Sequence, residues 1–462
     1  MGRASRFIVS VAVASALLPA TVQAADDTAA LRAEIAALKA EYAARVTALE
    51  ARIDQLESAS TAAATVAAEP PPPPPAAAPA RSSSAFNPSI SVILAGNYAD
   101  LSQDPADYNF AGFMPSGGEI GPGERSFNLG ESEITFAASV DPYFTAQLTA
   151  ALSSEGEIGV EEAFFRTSSL PAGFAIKGGR FFSGVGYLNE IHAHAWDFID
   201  QPLVYQAFMA GQYAQDGVQV KWLAPTDLFL EFGAETGNGN AFPGTRLERN
   251  GLNGVTLFAH TGGDLGDTIG WRAGLSWVDL DAEGRAYDDV DSLDRAVVNA
   301  FTGSSQTWIA DATLKWTPTA DARRRMLKLQ AEYMRRTEDG MLAFDIDGSA
   351  LSDSYRSEQD GWYVQGTYQF RPRWRIGLRY DALDSGSTRI GLVRSGELLA
   401  TDFPLLLPAS PSRVTTMVDW SPSEFSRLRA QYAWDDARDA DTDQQLFIQY
   451  IYAIGAHGAH KF

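Results

Sequence analysis

The chain contains no cysteine, so thiolate metal sites, cysteine nucleophiles and disulfides are excluded. Long apolar runs are also absent, because no stretch after residue 24 approaches the roughly 20 apolar residues that a transmembrane helix needs. Basic residues are in deficit: 36 Lys and Arg stand against 58 Asp and Glu, which gives a formal net charge of -22. This charge argues against nucleic acid as a partner.

Residues 1–24 are predicted to be a secretory signal peptide. Arg3 and Arg6 give a basic start, residues 7–18 an apolar middle, and residues 22–24 a small-residue cleavage site. The apolar run is too short to span a bilayer. The pattern therefore predicts that the chain is exported.

Residues 25–58 are predicted to form an α-helical coiled coil. Apolar residues recur there at spacings of three and four, and neither Gly nor Pro interrupts them. The seam consists of Leu31, Ile35, Leu38, Tyr42, Val46, Leu49, Ile53 and Leu56. A single amphipathic helix packed on the next domain is the alternative. Residues 59–88 follow as an Ala/Ser/Pro-rich linker whose proline run, residues 70–75, favours a semi-rigid polyproline II spacer.

From residue 89 to residue 462, period-two alternation of apolar and polar residues predicts β-strands throughout. The clearest hairpin has Trp362 and Val364 on one face of its first strand, and Arg375 and Arg379 on the polar face of its second. Sixteen strands are predicted: 89–99, 126–140, 143–153, 157–169, 173–182, 216–223, 227–236, 253–261, 268–279, 306–316, 326–337, 360–370, 373–383, 412–420, 425–435 and 444–462.

The turns between these strands alternate between short and long. Short turns often carry proline directly after a strand, and Trp222, Trp316 and Trp420 stand beside three of them. An even strand count, short turns at one end, long loops at the other and interfacial aromatic residues are typical of outer-membrane barrels. The predicted fold is an all-β transmembrane barrel of about 16 antiparallel strands, preceded by the α-helical coiled coil.

Charged residues share the face of the strands that must turn inward. An Arg or Lys on the lipid face would cost about 2–4 kcal/mol at mid-depth, and sixteen strands leave an aqueous lumen. The predicted pore-lining residues are Lys328, Glu332, Arg375, Arg379, Asp381, Arg427 and Arg429. Two interpretations stay open: these side chains hydrate and stiffen the wall, or they select ions.

The segment from Ser183 to Gln215 is predicted to fold inward as a constriction. It carries Glu190, Asp197 and Asp200, and no Lys or Arg occurs between residues 181 and 220. An acidic loop that faces an arginine wall would set a transverse field across the pore, as charge rings do in selective channels. The alternative is an external lid packed on neighbouring loops.

The same segment contains His192 and His194, two residues apart, as candidate metal ligands. Glu190 and Asp197 are available as further ligands. The alternative is that the two histidines have no role in metal binding, and the same holds for His457 and His460 near the end of the chain. No other cofactor is expected.

The strand layout, the Gly-Gly-Arg-Phe-Phe stretch at 178–182 and the terminal Phe462 resemble the phosphate-selective porin O and P family. The resemblance covers about residues 85–462 and implies a 16-stranded trimeric barrel with a narrowing loop. It also implies that phosphate preference depends on basic residues in the constriction, which the candidate loop lacks. The coiled coil with its proline linker is similar to that of trimeric porins with a periplasmic helical segment.

The expected function is passive diffusion of small hydrophilic or charged solutes, including ions, through a porin in the outer membrane of a Gram-negative bacterium. The expected partners are outer-membrane lipid and two further copies of the chain, with the coiled coil in the periplasm. One alternative is a receptor for ligand or metal uptake. Another is a cell-envelope anchor that contacts the cell wall through the coiled coil. An enzyme built around His260 is disfavoured, because no Ser-His-acid arrangement can be read from the spacing.

Overall fold

The computed structural model describes Thr47, Ala51 and residues 88–455, except 118–119, 154–155, 246–249, 319–323 and 439–440. Thr47 and Ala51 are helical. The rest of the predicted signal peptide, coiled coil and linker lies outside the described residues. So do residues 456–462, which carry the terminal phenylalanine and two of the histidines.

The described residues form sixteen antiparallel strands that close into a barrel, as predicted. Every strand pairs with the next one in the sequence, and β1 pairs with β16 from Ser91↔Gly455 to Leu101↔Gln445. The bounds are β1 Ser89–Leu101, β2 Ser126–Ser139, β3 Phe144–Leu152, β4 Ile158–Thr167, β5 Phe174–Phe182, β6 Ala214–Leu223, β7 Phe229–Gly237, β8 Gly254–Leu265, β9 Ile269–Val290, β10 Ala296–Trp316, β11 Met326–Phe344, β12 Leu351–Arg371, β13 Trp374–Ile390, β14 Ser412–Ser423, β15 Ser426–Asp436 and β16 Asp443–Gly455. Closure leaves no edge strand, so the sheet satisfies its own backbone.

Strand β2 is interrupted once, between Leu129 and Ser132, and both of its parts pair with β1. At the interruption the Ser132 hydroxyl accepts from the Ala95 backbone N–H at 3.1 Å, and Gly130 donates its N–H to the Ala95 carbonyl at 3.1 Å. A side-chain hydroxyl therefore replaces one step of the backbone ladder, and the barrel remains closed.

Side chains alternate between an apolar outer face and a polar inner face. On β13, Trp374, Ile376 and Leu378 are exposed on the outside. Arg379 and Asp381, on the other parity, are buried inside. The outer face therefore suits an apolar solvent, while the inner wall carries charge.

Aromatic side chains gather where strands meet the short turns. The rings of Trp374 and Trp420 stack at 5.9 Å, and Trp222 stacks on Phe232 at 5.8 Å. Trp316 is also exposed at the end of its strand. Exposed aromatic residues at this level form the girdle that the sequence predicts.

Strands β9–β13 run further than predicted, and the loops predicted at 280–305 and 338–359 were wrong in large part. Of the loop predicted at 384–411, residues 384–390 belong to β13 and the rest lies between β13 and β14. Strand β12 starts at Leu351 rather than residue 360. In these extensions the outer face is charged: Arg356 Nε donates to Asp339 Oδ2 across β11 and β12 at 2.6 Å. Cross-strand ion pairs thus continue the ladder where the apolar pattern used for prediction has ended.

Apolar side chains also pack inside the barrel. One buried cluster joins Phe113, before β2, with Leu203 and Phe208 of the short helix α1 (Leu203–Met209) and with Met334 on the wall. A second joins Phe403, from the segment between β13 and β14, with strand residues. That segment begins with the one-turn helix α2 (Gly391–Arg394). Among the described residues, no helix has the length and apolar character to cross a membrane.

Candidate functional site

The segment between β5 and β6 lies inside the barrel. Residues 183–213, called the inward loop below, begin and end together, because Ser183 donates its N–H to the Tyr213 carbonyl at 2.9 Å. The Asn189 side-chain amide also joins the two ends of the loop, because it donates to the Ser183 and Tyr213 carbonyls at 2.8 Å each. From there the loop crosses the lumen to contact β11–β15. The alternative of an external lid is therefore wrong.

Glu332 on β11 holds the first part of the inward loop. Its carboxylate accepts from the backbone N–H groups of Tyr187 and Leu188 at 3.0 and 3.1 Å. It also accepts from the Tyr205 hydroxyl at 2.8 Å and from the Tyr363 hydroxyl at 2.6 Å. Four donors on one buried carboxylate make a strong, directional attachment.

Gly186 is required for this close approach. Its φ of +62° lies in the left-handed region, and a Cβ there would collide with the Glu332 carboxylate and the Tyr205 hydroxyl. Glycine pays the smallest steric cost in this conformation and leaves the space that the carboxylate fills.

Asp197, near the middle of the inward loop, lies between two cations of the wall. Lys328 Nζ is 2.8 Å from one carboxylate oxygen, and Arg375 Nη1 is 3.0 Å from the other. Burial alone would raise the pKa of Asp197, but Lys328 and Arg375 outweigh it and hold this pKa well below its usual range. Asp197 is therefore ionised at neutral pH.

Asp200 makes the second charged attachment. Arg379 Nη2 and Arg413 Nη1 lie 2.9 and 2.6 Å from its two carboxylate oxygens. Burial opposes ionisation here as well, yet the two guanidinium groups lower the pKa of Asp200. Next to it, Asp381 accepts from the backbone N–H of Leu203 at 3.1 Å. The loop is thus joined to β13 and β14 by side chains that leave no charge isolated.

The predicted pore-lining residues all face the lumen, but the inward loop covers several of them. Glu332, Arg379, Asp381 and Arg429 are at most 2% exposed. The expected field across an open gap is therefore wrong for Asp197 and Asp200, because they touch the wall cations. The third predicted acid, Glu190, lies on the near side, 3.3 Å from Lys221 Nζ.

Arg413 and Asp419, which both lie on the inward face of β14, were not predicted as members of the site. Asp419 Oδ2 lies 2.6 Å from Arg375 Nη2. The signal was available, since both residues alternate with the outward Val418 and Trp420. The sequence does not indicate which part of the wall the loop contacts. That contact determines which of the inward charges form ion pairs.

Two wall arginines on β15 carry donors beyond those used by the loop. Arg429 Nη2 donates to the Trp196 carbonyl at 2.9 Å, and Arg427 donates to the His194 carbonyl. Within the described residues, Arg429 Nε and Nη1 and Arg427 Nε are buried with no hydrogen-bond partner. Such groups favour an anion or water beside them.

His192 and His194 lie at the other side of the loop, against β2 and β4. His192 Nδ1 is 3.2 Å from Glu161 and 3.3 Å from Glu133, and its Nε2 is 3.1 Å from Glu162. Burial alone would lower the pKa of His192, but hydrogen bonds to these three carboxylates raise it well above its usual value. Glu133 also lies 2.7 Å from His194 Nδ1.

The further ligands predicted for the two histidines were wrong. Glu190 and Asp197 pair with lysine side chains instead. The carboxylates that do surround the histidines come from the wall. Their ligand atoms form a set compatible with a metal ion: those of Glu133, Glu161 and His192 lie within 4.8 Å of one another.

A protein of Aquifex aeolicus (strain VF5), described as uncharacterized, is 30% identical to the chain over 407 residues, which is 82% of the chain and 81% of that protein. The chain belongs to the family of that protein. No model of a described protein family matches it. The similarity thus spans most of the length of both chains.

Solved outer-membrane proteins resemble the chain at low sequence identity. OmpT of Vibrio cholerae, solved as a trimer, has a TM-score of 0.49 and 12% identity, and the match covers 79% of this chain and 99% of that chain. The channel DcaP of Acinetobacter baumannii has a TM-score of 0.49 and 13% identity, over 79% and 97%. The anion-selective porin from Comamonas acidovorans has a TM-score of 0.46 and 9% identity, over 79% and 99%.

Proposed function

We propose that this family member is an outer-membrane porin through which small hydrophilic or charged solutes diffuse passively. The observation that carries the proposal is the closed sixteen-stranded barrel with an apolar outer face and a charged inner wall. A closed sheet is the strand solution that a bilayer permits, and a barrel of this size encloses an aqueous lumen.

The inward loop would set the width of this channel. It leaves the wall at β5 and is held on β11, β13 and β14 by Glu332, Arg379 and Arg413. Its attachments are buried hydrogen bonds and ion pairs, which supports a fixed constriction and not a loosely held lid. Solutes would then pass between the loop and the wall that it leaves uncovered.

The wall around β13 and β15 supports a preference for anions. Arg375, Arg427, Arg429 and Lys328 bring four positive charges to this region, while Asp197 and Asp419 bring two negative ones. The unpartnered guanidinium donors described above point the same way. The likeness to the phosphate-selective porin O and P family stays a prediction, and the proposal extends to anions in general.

The assembly and location follow from the same proposal. The chain would sit in the outer membrane of a Gram-negative bacterium as a homotrimer, with its barrel against lipid and its coiled coil in the periplasm. The heptad seam of residues 25–58 supports self-association. Contact of that segment with the cell wall is compatible with a channel, and no enzymatic activity is proposed.

The test is a planar-bilayer recording of the purified full-length protein under a salt gradient. Stepwise openings, grouped in threes, are expected from a trimeric channel. A reversal potential of the sign for anion passage is expected if the wall arginines dominate. A protein that shows heat-modifiable barrel mobility in gels but never conducts would overturn the proposal.

A further inference from the structure

Two consecutive glutamates on β4 reach the same side of the barrel wall. Along a regular strand, neighbouring side chains point to opposite faces. Here the register between β3 and β4 shifts: Thr149 pairs with Glu162, Ala150 pairs with Val160, and Glu161 is the extra residue of a β-bulge. Bulges re-aim side chains and occur beside functional sites. The bulge therefore places a second carboxylate of β4, in addition to Glu162, beside the histidines. A regular strand would point it to the opposite face.

The bulge completes a ring of carboxylates around the first histidine. Glu161 and Glu133 approach Nδ1 of His192, and Glu162 approaches Nε2. Every member of the ring is largely buried, and Glu133 is 2% exposed at its side chain. Three carboxylates gathered in a largely buried site are costly unless a cation, either a protonated imidazole or a metal ion, balances their charge.

A second imidazole shares the same carboxylate. His194 Nδ1 lies 2.7 Å from the Glu133 oxygen opposite the one that faces His192, and the two imidazole rings stack at 5.9 Å. The site therefore offers two nitrogen and several oxygen ligands from three separate parts of the chain. Mixed imidazole and carboxylate sets suit zinc and related divalent transition metals.

The ligand atoms need only small movements to meet one ion. Two ligands of a zinc ion at about 2.1 Å are at most about 4.2 Å apart, and the atoms of Glu133, Glu161 and His192 already lie within 4.8 Å of one another. The outer partner of His192 is also in place, because Glu162 lies 3.1 Å from Nε2 of this histidine. Glu162 is held in turn by Gln147 Nε2, at 3.1 Å, and by the Phe182 N–H, at 3.3 Å. Such partners orient metal ligands.

We propose that His192, Glu133 and Glu161 bind a divalent transition metal of the zinc class inside the barrel, with His194 and Glu162 completing its surroundings. The ion would join the inward loop to β2 and β4, on the side away from Glu332 and Arg413. It would thus fix the loop at both walls. This proposal goes beyond the channel function and does not depend on it, because binding can be measured without conductance.

The test is calorimetric titration of zinc chloride into the full-length protein, purified in detergent and first stripped with a chelator. One zinc ion per chain is expected, with binding that excess magnesium does not displace, since imidazole ligands disfavour that ion. His192→Gln and Glu161→Gln are each expected to weaken binding at least tenfold. Both variants keep polar groups at the site, and retained heat-modifiable mobility would show that they fold.

Matched controls separate this site from other histidines. His260→Gln removes an inward histidine that lies 3.4 Å from the Glu231 carboxylate. The double variant His457→Asn/His460→Asn removes the pair near the C-terminus. Both are expected to retain the binding of the wild type. Absence of zinc binding in the wild type, or binding that His192→Gln and Glu161→Gln leave unchanged, would overturn the proposal.

The channel assay keeps the two proposals apart. If zinc binds and no conductance is seen, the metal site stands and the porin proposal fails. If conductance is seen and calorimetry shows no zinc, the reverse holds.

Discussion

Arg413 Nη1 lies 2.6 Å from Asp200 Oδ2, and this contact joins the inward loop to strand β14 on the opposite wall. The arginine is 1% exposed at its side chain and the aspartate 12%. A buried pair of this kind contributes little net stability, but loss of Asp200 would leave Arg413 with the longer contacts to Asp381 and Asp435, at 3.4 and 3.6 Å. The position of the loop therefore depends on a small number of specific carboxylates.

Asp200→Asn is expected to loosen the inward loop. The neutral amide leaves Arg379 and Arg413 short of one negative charge. The cost to the docked loop should fall below the roughly 3–5 kcal/mol of an uncompensated buried charge, because Asp381 still pairs with both arginines. Single-channel conductance should rise, and the current should become noisier as the loop moves. The matched control is Asp339→Asn, which breaks an exposed pair with Arg356 whose contribution is about 0–1 kcal/mol. Equal conductance in both variants would contradict this account of the loop.

Gly186→Ala is expected to displace the first turn of the loop from Glu332. The new Cβ meets the Glu332 carboxylate and the Tyr205 hydroxyl, and alanine at positive φ adds strain of about 1 kcal/mol. Gly284→Ala is the control, because its φ of +61° is nearly the same and nothing lies within 4 Å of its Cβ position. Protease cleavage within the loop should become faster in the first variant alone. Cleavage of the loop at the wild-type rate in Gly186→Ala would contradict the expected collision with Glu332.

The attachments of the loop at Asp197 and Asp200 should respond to acid and not to moderate changes of pH. The pKa values of Asp197 and Asp200 are lowered in the folded protein, so their contribution is complete above the ordinary aspartate pKa of about 3.9. It is lost as the pH falls further, through the lowered values. The difference in conductance between the wild type and Asp200→Asn should therefore be constant from neutral pH to about pH 4.5 and shrink only below about pH 4. A change in that difference centred between pH 5 and pH 7 would speak against this.

Arg429→Gln is expected to reduce anion preference. The substitution removes one of four cations near Asp197 and Asp419 while keeping a donor for the Trp196 carbonyl. The reversal potential under a salt gradient should shift toward zero, and the shift should grow when Arg427→Gln is added. Arg295→Gln is the control, since that side chain is 66% exposed and lies in the turn between β9 and β10. Unchanged selectivity in the double variant would refute a selecting role for these arginines.

The barrel strands can be predicted from the sequence because lipid requires apolar side chains on one face of each strand, while the lumen permits polar side chains on the other. Ile376 and Arg379 fall on the faces that this rule assigns, and so do Arg427 and Arg429. This rule does not predict the strand residues that extend beyond the apolar outer face. In the extensions of β9–β13, polar residues such as Arg356 and Asp339 occupy the outer face, and no apolar signal marks a strand.

The sequence predicts several residues of the site correctly, but it does not predict which residues contact each other. Asp197 and Asp200 were identified as loop acids, but their partners depend on where the loop crosses the lumen, which no local pattern encodes. Glu161 was missed for a different reason. Its neighbour Glu162 has the opposite parity on a regular strand, and only the bulge brings both beside His192.

Removal of the inward loop, followed by a conductance measurement, shows most directly whether this loop narrows a channel. The loop ends are adjacent, since the Ser183 N–H bonds to the Tyr213 carbonyl at 2.9 Å, so residues 184–212 can be replaced by a short glycine-containing turn. We expect small stepwise openings in the wild type and steps several times larger in the excised variant, with heat-modifiable barrel mobility in both. Steps of equal size in the two proteins would contradict a channel narrowed by this loop, and silence from both folded proteins would contradict a channel altogether.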